Sequence, residues 1–333
     1  MPQKKRTTLK DVADAAGVSE MTVSRVLRGK GVVSRRTTDK VNRVVDRLGY
    51  VQNRLAGSLA ESRSNQVAVI IPSLFNNVFT EVMAGITSTL ERADYNAVVG
   101  VTDYDLGKEQ DLVVSMMSWR PAAIIVSNSV HTERTTNILR RADIPVVEMM
   151  TLGPDPIDMN IGIDQRAAAR DLAQFVMSRG HRRFGFLGWN ERDTAALERF
   201  REIERVISAQ GHSVLPPRPY DSPPNFLRGK IGLREMLETS RDLDAVFFAN
   251  DTTAIGGMMH CIEAGIRVPD DIALVGYSGL SMGQNMPLPL TTIETKRYET
   301  GQMAAAKILE RLTGRRSARI CDMGYTLLAG RTA

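Results

Sequence analysis

Residues Leu9 to Arg28, LKDVADAAGVSEMTVSRVLR, admit few local structures. Apolar side chains fall at Leu9, Val12, Ala13 and Ala16, the i, i+3, i+4, i+7 spacing of a helix with one buried face. Thr8 stands where it can cap the first turn, and Asp11 suits the positive start of a helix. Gly17 breaks the helix and is free to adopt positive φ as its stop. Ser19 caps a second helix, whose apolar face runs through Val23, Val26 and Leu27. Two short helices across a tight glycine turn form the helix-turn-helix pattern. A third helix is expected next, capped by Ser34, buried along Val41, Val44, Val45 and Leu48, and stopped by Gly49. Three such helices can bury a small core.

On the second helix the buried face leaves Glu20, Met21, Thr22, Ser24, Arg25 and Arg28 outward. Arg25 can offer a two-pronged donor to guanine O6 and N7, and Met21 an apolar contact to a thymine methyl. Thr22, Ser24 and Arg28 are better suited to phosphates. An ordinary solvated helix pair would present the same pattern, so charge matters. Residues 1–66 carry 14 Lys and Arg against 6 Asp and Glu, a net of +8; the whole chain carries +5, leaving −3 for residues 67–333. The basic excess coincides with the helix-turn-helix, as expected for a nucleic-acid module on a small-molecule domain.

After a polar linker, ESRSNQ (61–66), strands alternate with helices. Strand runs fall at 67–71, 96–101, 122–127 and 144–149, then at 182–188, near 213–215, at 244–250 and at 272–278. The alternation predicts two successive α/β lobes with mostly parallel sheets and a cleft at the carboxyl ends of the strands. No apolar run of about eighteen residues implies a membrane span. The basic N-terminus lacks the apolar core of a secretory signal, so a cytoplasmic protein is expected. Cys261 and Cys321 form neither a disulfide framework nor a metal pair. The four histidines lack zinc spacing, so no metal or cofactor is implied. No nucleophile elbow, phosphate loop or dinucleotide fingerprint is present, so no enzyme is expected.

The string TLKDVADAAGVSEMTVSRVL…VS…LGYVQNRLAGSLA resembles the DNA-binding headpiece and hinge helix of the lactose-repressor family of bacterial regulators. The resemblance continues through IPVVE, SRGHRRFGFLG, FFANDTTAIGGM, GIRVPDDIALVGYS and PLPLTTIET, to about Thr332. It implies a headpiece over about 1–52, a hinge over 53–66, and an effector-binding, dimerising body over 67–333 like a periplasmic sugar-binding protein. Lobe 1 would take about 67–162 and 293–321, and lobe 2 about 163–292 and 322–333. It implies a homodimer on pseudo-palindromic double-stranded operator DNA, with Thr8, Leu9, Ser19, Ser34 and the outward residues of the second helix at the duplex. Hinge residues Asn53, Ala56 and Leu59 would enter the minor groove, Leu59 as a wedge. Gln52 stands where the family usually has proline, and Gly57 falls inside the hinge, so both lower its helicity or rigidity.

By the same resemblance the ligand meets Ser73, Asn76, Asn77 and Phe79 after the first strand, Asn128 and Ser129 after the third, and Glu148 after the fourth. Lobe 2 would add Asp164, Arg199, Asn250, Asp251 and Ser278. Polar groups and an aromatic wall suit a polyol. Two departures stand out: Ser278 and Met150 occupy positions where the family's neutral-sugar binders often carry acids. A pocket short of anionic acceptors but keeping Arg199 favours a carboxylate ligand. VSEMTVSRVLR, IPVVEMM, GYSGLSMGQ and DMGYTLLAG most resemble the gluconate-utilisation repressors of the family. The expectation is a repressor responding to gluconate or a related sugar acid. The alternatives are a regulator responding to a neutral sugar or other metabolite, and a sugar-binding protein without regulatory function. The apolar helix positions Val82, Met83, Ile86, Met116 and Met117 could serve the dimer or their own sheet.

Overall fold

Thr8 Oγ1 accepts a hydrogen bond from the Asp11 amide at 3.2 Å, and the Asp11 carboxylate accepts one from the Thr8 amide at 2.8 Å. This capping box starts α1 (Leu9–Ala16). The Thr22 amide donates to Ser19 Oγ at 3.2 Å, ahead of α2 (Glu20–Arg28), and the Thr37 amide to Ser34 Oγ at 3.2 Å, ahead of α3 (Arg35–Leu48). Gly17 and Gly49 both stop their helices at φ 59°. Val12, Ala13, Ala16, Val23, Val41 and Val44 form the core of the three helices, with Leu9, Val26, Leu27 and Leu48 packed around it.

The structure is a computed structural model that describes residues 7–28, 33–51, 64–127, 129–188, 192–217 and 225–333. The chain divides into the units Met1–Ser64 and Asn65–Ala333. The second begins with β1 (Gln66–Ile71), α4 (Asn77–Glu91), β2 (Asn96–Val101), α5 (Leu106–Ser118), β3 (Ala123–Val126), α6 (Glu133–Arg140), β4 (Val146–Thr151) and β5 (Met159–Ile163). It continues with α7 (Gln165–Ser178), β6 (Phe184–Leu187), α8 (Thr194–Ser208), β7 (Val214–Leu215), α9 (Phe226–Thr239), β8 (Ala245–Phe248), α10 (Asp251–Ala264) and β9 (Ala273–Val275). Then come α11 (Ser281–Gln284), β10 (Thr292–Thr295), α12 (Arg297–Leu312), β11 (Ile320–Asp322) and β12 (Tyr325–Leu328).

Two parallel sheets result. The first is ordered β11-β5-β4-β3-β1-β2 and the second β7-β6-β8-β9, while β10 and β12 pair antiparallel. Each parallel sheet is buried on both faces, because its crossovers lay helices there. Along β1, Val67, Val69 and Ile71 enter one core cluster, and Ala68 and Ile70 another. In the second sheet, Phe247 and Val246 likewise face opposite clusters. The chain leaves the first sheet after β5, builds the second, returns through β10 to α12 and β11, and passes back to β12. Helix α12 packs Ala304, Ala305 and Ile308 into the core of the first lobe.

The apolar faces of α4 and α5 are spent on their own sheet. Val82, Ile86 and Met116 are buried in the lobe's cores, with Met83 and Met117 packed against them. Of the two uses open to these positions, the dimer or their own sheet, the packing assigns them to the sheet, since the residues facing a parallel sheet are the ones its core requires. No helix of the described residues is long and apolar enough to cross a membrane.

Candidate effector cleft and nucleic-acid face

On the headpiece, Glu20 and Arg25 are exposed, and Met21 is 63% exposed although apolar. Thr22 and Ser24 are half-buried, and the Thr22 hydroxyl lies 2.9 Å from Ser19 Oγ. The hydroxyls of Thr8, Ser19 and Ser34 serve the helix starts. Arg28 closes α2. Asn53, Ala56 and Leu59 lie outside the described residues, as do Gln52, Gly57 and Asn128.

In the body, the carboxyl ends of both parallel sheets converge on one cleft. Its first wall carries Asn76, Phe79, Tyr104, Asp105, Glu109 and Met150. Its second carries Gln165, Asp193, Arg199, Asn250, Tyr277 and Ser278, and Arg297 joins from the start of α12. Of the residues expected from sequence, Asn76, Phe79, Arg199, Asn250 and Ser278 stand on these walls. Asn76 caps α4 through the Val78 amide and donates from Nδ2 to the Tyr104 hydroxyl at 3.2 Å. Asn250 caps α10 through the Thr253 amide at 3.0 Å.

The others are engaged elsewhere. Asp251 is completely buried, accepting from Thr292 Oγ1 at 2.7 Å and from the Leu280 amide at 2.5 Å. Burial pushes its carboxyl up to about 6, against the pull of those bonds. Asp164 caps α7 through the amides of Arg166 and Ala167. Glu148 accepts the Ile157 amide. Ser73 is 2% exposed and holds the Phe75 amide. Asn77 is an exposed first residue of α4, and Ser129 lies beside Gly153, both away from the cleft lining. For Ser73, Glu148, Asp164 and Asp251 the physical reason is shared: a polar side chain with backbone amides within reach accepts from them.

The walls hold residues not foreseen from sequence. Tyr277 is buried and Tyr104 half-buried, and desolvation raises both phenols, so they stay neutral. Asp105, Glu109 and Asp193 correct the expectation of a pocket short of acids. These acids are already engaged. Asp105 accepts the Gly107 and Lys108 amides and pairs with Arg192 Nη1 at 2.9 Å, joining the two lobes. Asp193 caps α8 through the Ala196 amide, and Glu109 meets His131.

Arg199 is different. It is 8% exposed, and its guanidinium lies over the Tyr277 ring at 4.3 Å. Nη1 donates to Gln165 Oε1 at 3.1 Å and Nη2 to the Ala249 carbonyl at 3.0 Å, both neutral acceptors. Nε has no hydrogen-bond partner, and among the described residues no carboxylate lies within ion-pair distance. A buried cation without a counter-charge is costly. Arg297 adds a second guanidinium, bonded to the Ser278 and Gly279 carbonyls and paired with Glu81 at 3.1 Å.

Three of the six non-glycine residues at positive φ among the described residues lie in the same place. Tyr104 (φ 63°), Met150 (φ 82°) and Ser278 (φ 120°) are non-glycine residues at positive φ, and all three line the cleft. Such conformations persist where surrounding structure enforces them, commonly around ligands. Two of them, Met150 and Ser278, are the departures seen in the sequence.

Residues 8–53 match the bacterial regulatory proteins of the lacI family, and residues 173–332 match a periplasmic binding protein-like domain. The HTH-type transcriptional regulator GntR of Escherichia coli K12 is 34% identical over 331 residues, covering 98% of this chain and 99% of that protein. The regulator IdnR of the same strain is 32% identical over 329 residues, covering 98% of each. A crystal structure of a LacI-family transcriptional regulator from Silicibacter pomeroyi superposes with a TM-score of 0.92 at 40% identity, covering 98% of this chain and 99% of that one.

Proposed function

The chain belongs to the LacI family of bacterial transcriptional regulators, and from that premise we propose that it is a repressor controlled by a sugar acid of the gluconate type. The observation that carries the ligand class is Arg199, a buried guanidinium facing the cleft with neutral partners only. A polyhydroxy carboxylate supplies the missing charge at one end and hydroxyls for the polar walls along its length. The sequence strings shared with gluconate-utilisation repressors point to the same class. Calorimetric titration of the full chain with D-gluconate and with sorbitol tests it. Gluconate is expected to bind and sorbitol to bind far more weakly; the reverse order removes the sugar-acid reading.

Operator recognition is assigned to the exposed side of α2. Arg25→Ala is expected to weaken specific operator binding by about 1–3 kcal/mol and to relax preference at one base pair, the effect of one lost bidentate base contact. Equal operator affinity of variant and wild type in a gel-shift titration takes Arg25 out of base readout. Two headpieces on a pseudo-palindrome require a two-fold dimer. Sedimentation equilibrium should then give about twice the chain mass of 36.8 kDa; a persistent monomer contradicts it. Ligand acts on this equilibrium only through its different affinity for the operator-bound and free states. We assign release, rather than tightening, to the sugar acid, and an operator shift that strengthens with gluconate overturns that sign.

A further inference from the structure

Glu109 stands in the first turn of α5 and lines the cleft although only 4% of it is exposed. Its Oε1 lies 2.6 Å from His131 Nδ1. On the far side of the ring, Glu148 Oε1 faces His131 Nε2 at 3.5 Å, an ion-pair distance rather than a hydrogen bond. Glu148 is fixed in turn by the Ile157 amide on its other oxygen. Three ionisable groups from three elements are therefore stacked inward from the cleft wall. Both Glu109 and the His131 side chain are shielded from solvent, at 5% and 3% exposure of their side chains.

Burial alone would pull the imidazole down, but the two flanking carboxylates outweigh it and lift His131 to about 9. At neutral pH the ring is an imidazolium, with one N–H toward each carboxylate. The short contact with His131 Nδ1 holds Glu109 in one orientation. Its second oxygen has no hydrogen-bond partner among the described residues. Glu109 lines the cleft, so that oxygen is open to whatever occupies it. A carboxylate accepts and does not donate. Its charge is already met by His131, so the capacity left over suits a neutral O–H rather than a second cation.

We propose that Glu109 reads a hydroxyl of the bound polyol, accepting its hydrogen bond on the oxygen that faces the cleft, with His131 and Glu148 as positioning residues behind it. This rests on the sugar-acid reading only in requiring a polyol in the cleft. Arg199 would recognise the acid end and Glu109 one carbon bearing a hydroxyl, so the two residues control separate selectivities. A site that hydrogen-bonds a substrate hydroxyl discriminates strongly against the analogue lacking it, because the site's own polar group is then stranded.

The test is calorimetric titration of the full-length protein with D-gluconate, sorbitol and a set of monodeoxy gluconates, one for each hydroxyl. Glu109→Gln is expected to weaken gluconate binding at least tenfold. At one hydroxyl, removal should no longer matter to the variant, while it costs the wild type at least tenfold. His131→Gln should shrink the same penalty and no other, and the preference for gluconate over sorbitol should survive in both. Loss of packing alone would weaken every ligand in proportion and leave the deoxy pattern unchanged. If Glu109→Gln does not fold, Glu109→Asp keeps the charge opposite His131 and withdraws the oxygens by one methylene, with the same loss expected. An unchanged deoxy pattern in the variant that folds overturns the proposal. A wild type that takes only neutral polyols, with the Glu109-dependent penalty intact, overturns the sugar-acid reading and leaves this one standing. A wild type that binds no polyol at all overturns both.

Discussion

Arg199→Met should abolish recognition of the sugar acid while leaving the free protein at least as stable as wild type. Removing one partner of a buried charge pair costs about 2–5 kcal/mol of binding, which is roughly a thirtyfold loss or more. The free protein responds differently. Without ligand, the guanidinium is a buried charge with two neutral acceptors, the Gln165 side chain and the Ala249 carbonyl. Gln165 Oε1 also accepts from the Tyr277 hydroxyl at 2.8 Å, so it remains satisfied when Arg199 is gone. Methionine keeps most of the contact with the Tyr277 ring that the guanidinium now makes at 4.3 Å. The desolvation of the charge disappears, while one carbonyl loses a donor. Thermal unfolding without ligand should therefore show little change or a rise, and gluconate should no longer shift it. A variant that melts well below wild type yet still binds gluconate would make Arg199 a structural residue and remove the basis for an acidic ligand.

The parts of this protein that are legible in its sequence are those decided locally. Thr8, Ser19 and Ser34 occupy cap positions that only a few side chains can fill, and the spacing of Val12, Ala13 and Ala16 leaves one helical face to bury. The strand runs of the body are continuous in apolar residues because each parallel sheet is covered on both sides. The cleft is less legible. Asn76 and Asp251 look alike as polar residues near strand ends, and Arg199 is one of several arginines on α8, but only Asn76 and Arg199 face the cleft. Asp251 instead holds Leu280 and Thr292, residues about thirty and forty positions away, and no local pattern announces such a partner. The loop TDYDLG after β2 carries no motif that marks it as a cleft wall. Its signal would have been Tyr104, whose positive φ carries no glycine to mark it. Glu109 and His131 were equally silent, since their pairing joins a helix to a loop 22 residues on. Sequence identifies the strand ends that build the walls; side-chain direction, set by tertiary contacts, decides which residue looks in.

The seam between α4 and α12 should be the place where the smallest substitution does most harm to the body. A Cβ on Gly85 would lie 2.1 Å from the Tyr298 carbonyl oxygen, and one on Gly301 would lie 2.1 Å from the Val82 carbonyl oxygen. The obstacles are backbone atoms inside helices, so neither can rotate away, and the helices must separate. Overpacking of this kind costs about 3 kcal/mol or more, against about 1 kcal/mol gained by replacing a helical glycine with alanine. Gly85→Ala or Gly301→Ala should thus destabilise the protein by about 2 kcal/mol or more, read as a lowered melting temperature or denaturant midpoint. The damage should also reach the cleft. Glu81 lies one turn before Gly85 on α4, and Arg297 one turn before Gly301 on α12, and their side chains pair at 3.1 Å. Arg297 in turn holds the carbonyls of Ser278 and Gly279, so it fixes the backbone of a residue that lines the cleft. Widening the seam draws that anchor outward. Ligand affinity should fall in either variant even at temperatures where it is fully folded. An alanine at Gly85 that leaves both the unfolding midpoint and gluconate affinity at wild-type values would mean that the two helices do not approach this closely in solution.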